Sequence, residues 1–278
     1  MRPVVVLLLG VLVLAAPSRR AGADEIAPEL ETLTLRQRAQ SETKKLLAGL
    51  PGSDQRRLIG VYLAFDDSAS DPIAMVACDD DGDYVIVMSD ALLRLVSLVA
   101  RAQSYDEANG SQAIEDYAAF VARSQLPGRR LLPPPPGFFT ALTGGTTQEA
   151  RHREALSFVV GREIAHLRAG DLVCAHPTAT HEHGDDEWTA AEQRRALETA
   201  ANVYPGHPVE RDTEATLRML EAGHGEDGAL GFLRFFAQLE SERAVHPSRF
   251  VPTYVLQHPS AGSRLAVVKA AAKTHRTP

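Results

Sequence analysis

Basic charge, cysteine and long apolar runs are all scarce in this 278-residue chain. Lysine and arginine number 29 against 36 acidic residues, a formal charge of −7. A chain this acidic is a poor fit to nucleic acid or anionic lipid, both of which demand a positive surface. One run alone, from Val4 to Ala16, is strongly apolar, and no later segment is apolar enough to span a membrane. That run is shorter than the roughly 20 residues a spanning helix needs. Arg2 ahead of it and Ala21-Gly22-Ala23 behind it make the three-part pattern of a secretory signal. Residues 1–23 are therefore expected to be a signal peptide and the rest to be exported, periplasmic or secreted, with no membrane span after cleavage. Arg19 and Arg20 leave cleavage just after Ala16 open. Removing the signal takes away three arginines and no acid, so the remainder is more acidic still. Cys78 and Cys174 are the only cysteines. In an exported chain they most simply form one disulfide, the alternative being two separate buried thiols.

Apolar residues make up 44% of the sequence, enough for a real core. Helical periodicity runs from Glu29 to Leu50 and stops at Pro51-Gly52, so residues 24–57 read as an N-terminal helix. Leu58–Phe65 reads as a buried strand. Ile73–Cys78 and Tyr84–Met88 read as two more, joined by the turn Asp79-Asp80-Asp81-Gly82-Asp83. That turn is too short for an EF-hand and lacks its distal Glu, so a solvated turn is expected rather than a calcium site. Ser89 or Asp90 should cap the helix that follows. Residues 104–150 look like an insertion in which a short helix around Ala113 to Ser124 leads to Pro133 to Gly137 and then Thr143 to Thr146, a stretch expected on the surface near the site. Helices are then expected from about Gln148 to Ala169, Trp188 to Asn202, Val209 to Ala222, Leu230 to Leu239 and Ala261 to Lys273. A loop through Val251 to Pro259 precedes the last of these.

The segment Val159-Val160-Gly161-Arg162-Glu163-Ile164-Ala165-His166 carries the chemistry. Two His at i and i+4 with a Glu beside the first, H-E-x-x-H, form a zinc-protease helix. Here Glu163 and His166 are in place, but Arg162 stands where the first His belongs, and a guanidinium cannot ligate a metal. Leu156, Phe158, Val159, Val160, Ile164, Ala165 and Leu167 make the helix apolar nearly all round, so it should be buried, with Gly170 ending it.

Several segments resemble the zinc metallopeptidases of the HtpX and CAAX prenyl protease type, which are gluzincins. The hairpin strands and the Leu92-Leu93-Arg94-Leu95 helix are similar to that family's approach to its zinc helix. Val160 to His166 resembles the family's V-G-H-E-I-A-H. Glu210-Arg211-Asp212-Thr213-Glu214 and then Ala222-Gly223 resemble its third-ligand helix. Gln257-His258-Pro259-Ser260 with Ser263-Arg264-Leu265 resembles its closing T-H-P segment. The resemblance implies an α+β fold over residues 58–275, a mostly helical gluzincin-like domain with a small antiparallel sheet. It implies Glu163 as general base, His258 near the reacting centre, and His166 and Glu210 as metal ligands. A second register places Asp212 on the family's Asp and Pro208 on the ligand position.

Two ligands hold zinc weakly, and Arg162 puts a positive charge in the metal's place. No cofactor is therefore expected. Arg162 should pair with Glu210, or else with Glu163, Asp212 or Glu214. The sequence points to a pseudoprotease, exported, that binds an unfolded or extended polypeptide or another envelope protein. The alternative is an active zinc endopeptidase with an altered ligand set, into which His176, His181 or His183 of a His- and Asp-rich loop could enter.

Overall fold

A computed structural model of the chain describes residues 28–68, 70–135, 137–138, 146–174, 208–245, 251–258 and 260–276. Helix α1 (Pro28–Ala48) and the short α2 (Gly52–Arg57) lead into strand β1 (Tyr62–Asp66). Strands β2 (Ala74–Cys78) and β3 (Tyr84–Ser89) follow, then helices α3 (Asp90–Asn109), α4 (Ala113–Ser124) and α5 (Thr146–Ala169). Beyond residue 207 come α6 (Pro208–Glu221), α7 (Asp227–Val245), α8 (Thr253–Gln257) and α9 (Ala261–Arg276). The protein is mostly helical with a small sheet, the α+β class.

The sheet is mixed, not antiparallel as expected. Its order is β1-β3-β2, with β1 parallel and β2 antiparallel to β3. The acidic turn fixes the second pairing. Asp79 accepts the backbone N–H of Asp83 at 2.8 Å, and Gly82 takes φ 86°. No tight turn joins β1 to β2, so β1 crosses to the far edge of β3 and runs alongside it. The hairpin buries both faces. Ala74, Val76, Ile86 and Met88 face the helices, while Met75, Ala77, Val85 and Val87 form a second, smaller cluster.

Ser89 caps α3, accepting from the N–H of Leu92 at 3.1 Å and from that of Ile73 at 2.9 Å. One serine thus ties helix start to strand entry. Helix α1 is held to α3 by a fork from Arg36 to Asp90, 2.8 Å on each arm. Its Leu35, Ala39 and Leu46 enter the same core as α5.

The expected surface insertion is part of that core for much of its length. Helix α3 runs on to Asn109, and Ile114, Tyr117 and Val121 of α4 are buried against α7. The amphipathic spacing of α4 is what puts these residues on one face. The loop expected before the last helix holds the short helix α8. Cys78 and Cys174 are joined, with Cα atoms 5.5 Å apart, fixing the chain just after α5 to the end of β2. The expected helix from Trp188 to Asn202 lies outside the described residues.

Candidate functional site

Helix α5 runs through the centre of the molecule, packed by α1, α3, α6 and α7. Residues 154–167 are all buried, as an apolar surface on every side requires. Arg162, Glu163 and His166 sit in this stretch, each 0% exposed. Gly170 closes the helix at φ 76°, with Asp171 N–H bonded to the carbonyl of His166 at 3.1 Å. Helix α6 crosses closely where a Cβ on Gly161 would lie 3.4 Å from the backbone of Ala215. One turn from that crossing, α6 presents Asp212.

Arg162 donates from Nε to Asp212 Oδ1 at 2.9 Å. Arg264 of α9 forks the same carboxylate, Nε to Oδ2 at 2.7 Å and a terminal nitrogen to Oδ1 at 2.9 Å. Both arginines and the aspartate are removed from water. Burial, then repulsion by Arg264, hold the Arg162 pKa below the ordinary arginine value against the pull of Asp212. For Arg264 burial also lowers it, but Tyr254 and Asp212 outweigh burial and raise it. Arginine stays charged in either case. Formally the cluster of Arg162, Arg264, Asp212 and Glu163 is balanced, two charges of each sign.

His166 Nδ1 lies 2.8 Å from Asp171 Oδ2, and Arg211 forks Asp171 at 2.6 and 2.8 Å. Burial, then the Arg162 charge, push the His166 pKa down to about 4, so its ring is neutral at neutral pH. With Nδ1–H given to Asp171, Nε2 carries the lone pair. A carboxylate behind an imidazole is how metal-binding histidines are oriented. On the other side, His258 Nε2 lies 3.9 Å from Glu163 Oε1. The His258 ring is held by the Tyr254 carbonyl, 2.7 Å from Nδ1, and by the Tyr254 ring, 4.2 Å between centroids.

The structure therefore brings Arg162, Glu163, His166 and His258 together. It does not bring in Glu210, which is exposed on the first turn of α6. The partner of Arg162 on α6 is Asp212, two residues on. Among the described residues no group of three or more His, Cys, Asp or Glu is placed to hold a metal. His176, His181 and His183 lie outside the described residues.

Sequence reasoning passed over Asp171, Arg211, Tyr254 and the role of Arg264. Asp171 was the most findable, since a residue just past the glycine stop folds back over the last helical turn. Two further histidines are drawn from the surface, His152 fully and His224 in part. His152 is 3% exposed, and His224 bonds Glu42 at 2.9 Å. Among the described residues no helix is long and apolar enough to cross a membrane. No protein-family model, curated protein or solved structure matches the chain.

Proposed function

We propose that this is a metallopeptidase-like protein whose hydrolytic centre has become a structural ion-pair knot. It would be an exported pseudoprotease that binds extended polypeptide or another envelope protein. The observation that carries this reading is the Arg162–Asp212 pair. A guanidinium stands at the first ligand position of the helix, wholly buried, tied to a carboxylate that also anchors Arg264. A fixed cation between the two helices does the bridging that a metal does in a gluzincin, but it has no exchangeable water to activate. An added chain would pair with an outer strand of the sheet. Ala74–Ala77 of β2 are at most 1% exposed, whereas Tyr62, Leu63 and Phe65 of β1 are partly exposed, so β1 is the strand this reading favours.

A second reading, an active zinc endopeptidase with an altered ligand set, draws on one observation. His166 is neutral and backed by Asp171, as a ligand would be. Elemental analysis of the mature chain separates the two. The pseudoprotease reading expects no stoichiometric zinc after zinc is offered, and fluorescence anisotropy should show saturable binding of a labelled unfolded polypeptide. About one zinc per chain, lost in His166→Ala, would replace it with the peptidase reading. No zinc and no polypeptide binding would leave a purely structural protein.

A further inference from the structure

We propose that the hollow between the first turns of α1 and α3 binds a small organic carboxylate. This site is separate from the α5 cluster and independent of the reading above. It is a hollow of about 100 Å³, with Leu35 and Leu93 in its wall and Glu31, Asp90, Arg94 and Arg130 around them. Asp90 is already satisfied by the Arg36 fork. The Arg94 guanidinium is not, and Arg130 is exposed to water. Neither guanidinium makes a hydrogen bond or ion pair among the described residues, and Nε of Arg94 is buried without an acceptor. A buried guanidinium N–H without an acceptor is costly, and a ligand oxyanion is the partner its geometry fits best.

Charge and shape narrow the ligand. With Arg36 cancelling Asp90, the two free guanidiniums face Glu31 alone. The site is formally positive by one charge, in a chain whose overall charge is −7. One carboxylate closes that balance, whereas a phosphate dianion would exceed it. Leu35 and Leu93 make one side of the hollow apolar, which suits a short tail only. A monoanionic acid with a few carbons satisfies both features.

The test is calorimetric titration of the full mature chain with hexanoate at low salt, where screening is weakest. Acetate and inorganic phosphate serve as comparisons. The expected result is saturable one-to-one hexanoate binding, tighter than acetate. It should weaken about tenfold or more in each of Arg94→Gln and Arg130→Gln, the loss expected for one charge-assisted contact. Arg130 is exposed, so Arg130→Gln reports on binding even if Arg94→Gln disturbs folding. No saturable hexanoate binding would overturn the site, as would binding unchanged in Arg130→Gln. Phosphate binding more tightly than hexanoate would overturn the carboxylate assignment.

Discussion

The Nε of Arg162 lies 2.9 Å from Oδ1 of Asp212, and neither side chain is exposed. The two residues are not equally expendable. Replacing Arg162 by Met leaves Asp212 forked by Arg264 and fills the volume with an apolar chain. Replacing Asp212 by Ala leaves two guanidiniums buried around an absent anion. Removing one partner from a buried ion cluster costs about 3–5 kcal/mol where the charge left behind has no other partner, and less where one remains. Urea unfolding of both variants should therefore show a larger loss for Asp212→Ala than for Arg162→Met, in which Arg264 still forks Asp212. Equal losses would mean that Arg264 does not hold Asp212 alone.

His152 gives a pH prediction. Both its ring nitrogens are buried without a hydrogen-bond partner. Burial first, then Arg38 and Arg153 against the opposing pull of Glu42, put its pKa at about 4, below the ordinary histidine value of about 6.5. The folded state therefore resists a proton that the unfolded chain accepts. This contribution leaves stability untouched above pH 6.5 and erodes it as pH falls towards 4. The loss is roughly 3 kcal/mol over that window. Stability measured from pH 7 to 4 should fall less steeply in His152→Leu, which should also be more stable at pH 7 because it removes the unpaired nitrogens.

The disulfide joins residues 96 apart in sequence. On the chain-entropy account, closing a loop of that size restrains the unfolded state by about 4–5 kcal/mol. A denaturant midpoint that drops sharply in dithiothreitol, and by a similar amount in Cys78→Ser, is the expected outcome. A midpoint unmoved by reductant would show that the staple adds nothing.

Two glycines in helices should respond oppositely to alanine. At Gly228 a Cβ would sit 2.2 Å from the Arg151 carbonyl, a backbone atom with no room to retreat. Gly228→Ala should cost about 2–3 kcal/mol or more. At Gly161 the nearest atom is 3.4 Å away, an ordinary contact, so Gly161→Ala should cost little and gain up to about 1 kcal/mol of helix propensity. Thermal unfolding of the two variants decides this.

What the sequence conveyed well was periodicity. An α5 apolar on every side had to be buried, and its charged residues had to find partners. The turn at Gly82 and the cap at Ser89 were equally legible, because each needs a particular residue type. Direction and register were not. Glu210 and Asp212 differ by about 200° around a helix axis. Only one can face α5, and spacing along the chain does not say which. Nor could the pattern of β1 reveal whether it runs parallel or antiparallel to β3. Asp171 reaches His166 only through the backward fold at Gly170, which no periodic reading contains. The helix from Ala113 to Ser124 was legible, but its burial against α7 was not, because the proline- and glycine-rich stretch beyond it reads as surface.

The bond between Cys78 and Cys174 has a further consequence. It makes a closed covalent circle of β3, α3, α4 and α5, leaving everything after Cys174 as an open tail. Arg162, Glu163, His166 and Asp171 belong to the circle. Asp212, Tyr254, His258 and Arg264 belong to the tail. A protease cut between α3 and α4 would leave both pieces linked on a non-reducing gel. A cut in the tail would let its distal piece diffuse away once the ion pairs open, and the four circle residues would lose the groups that neutralise and brace them.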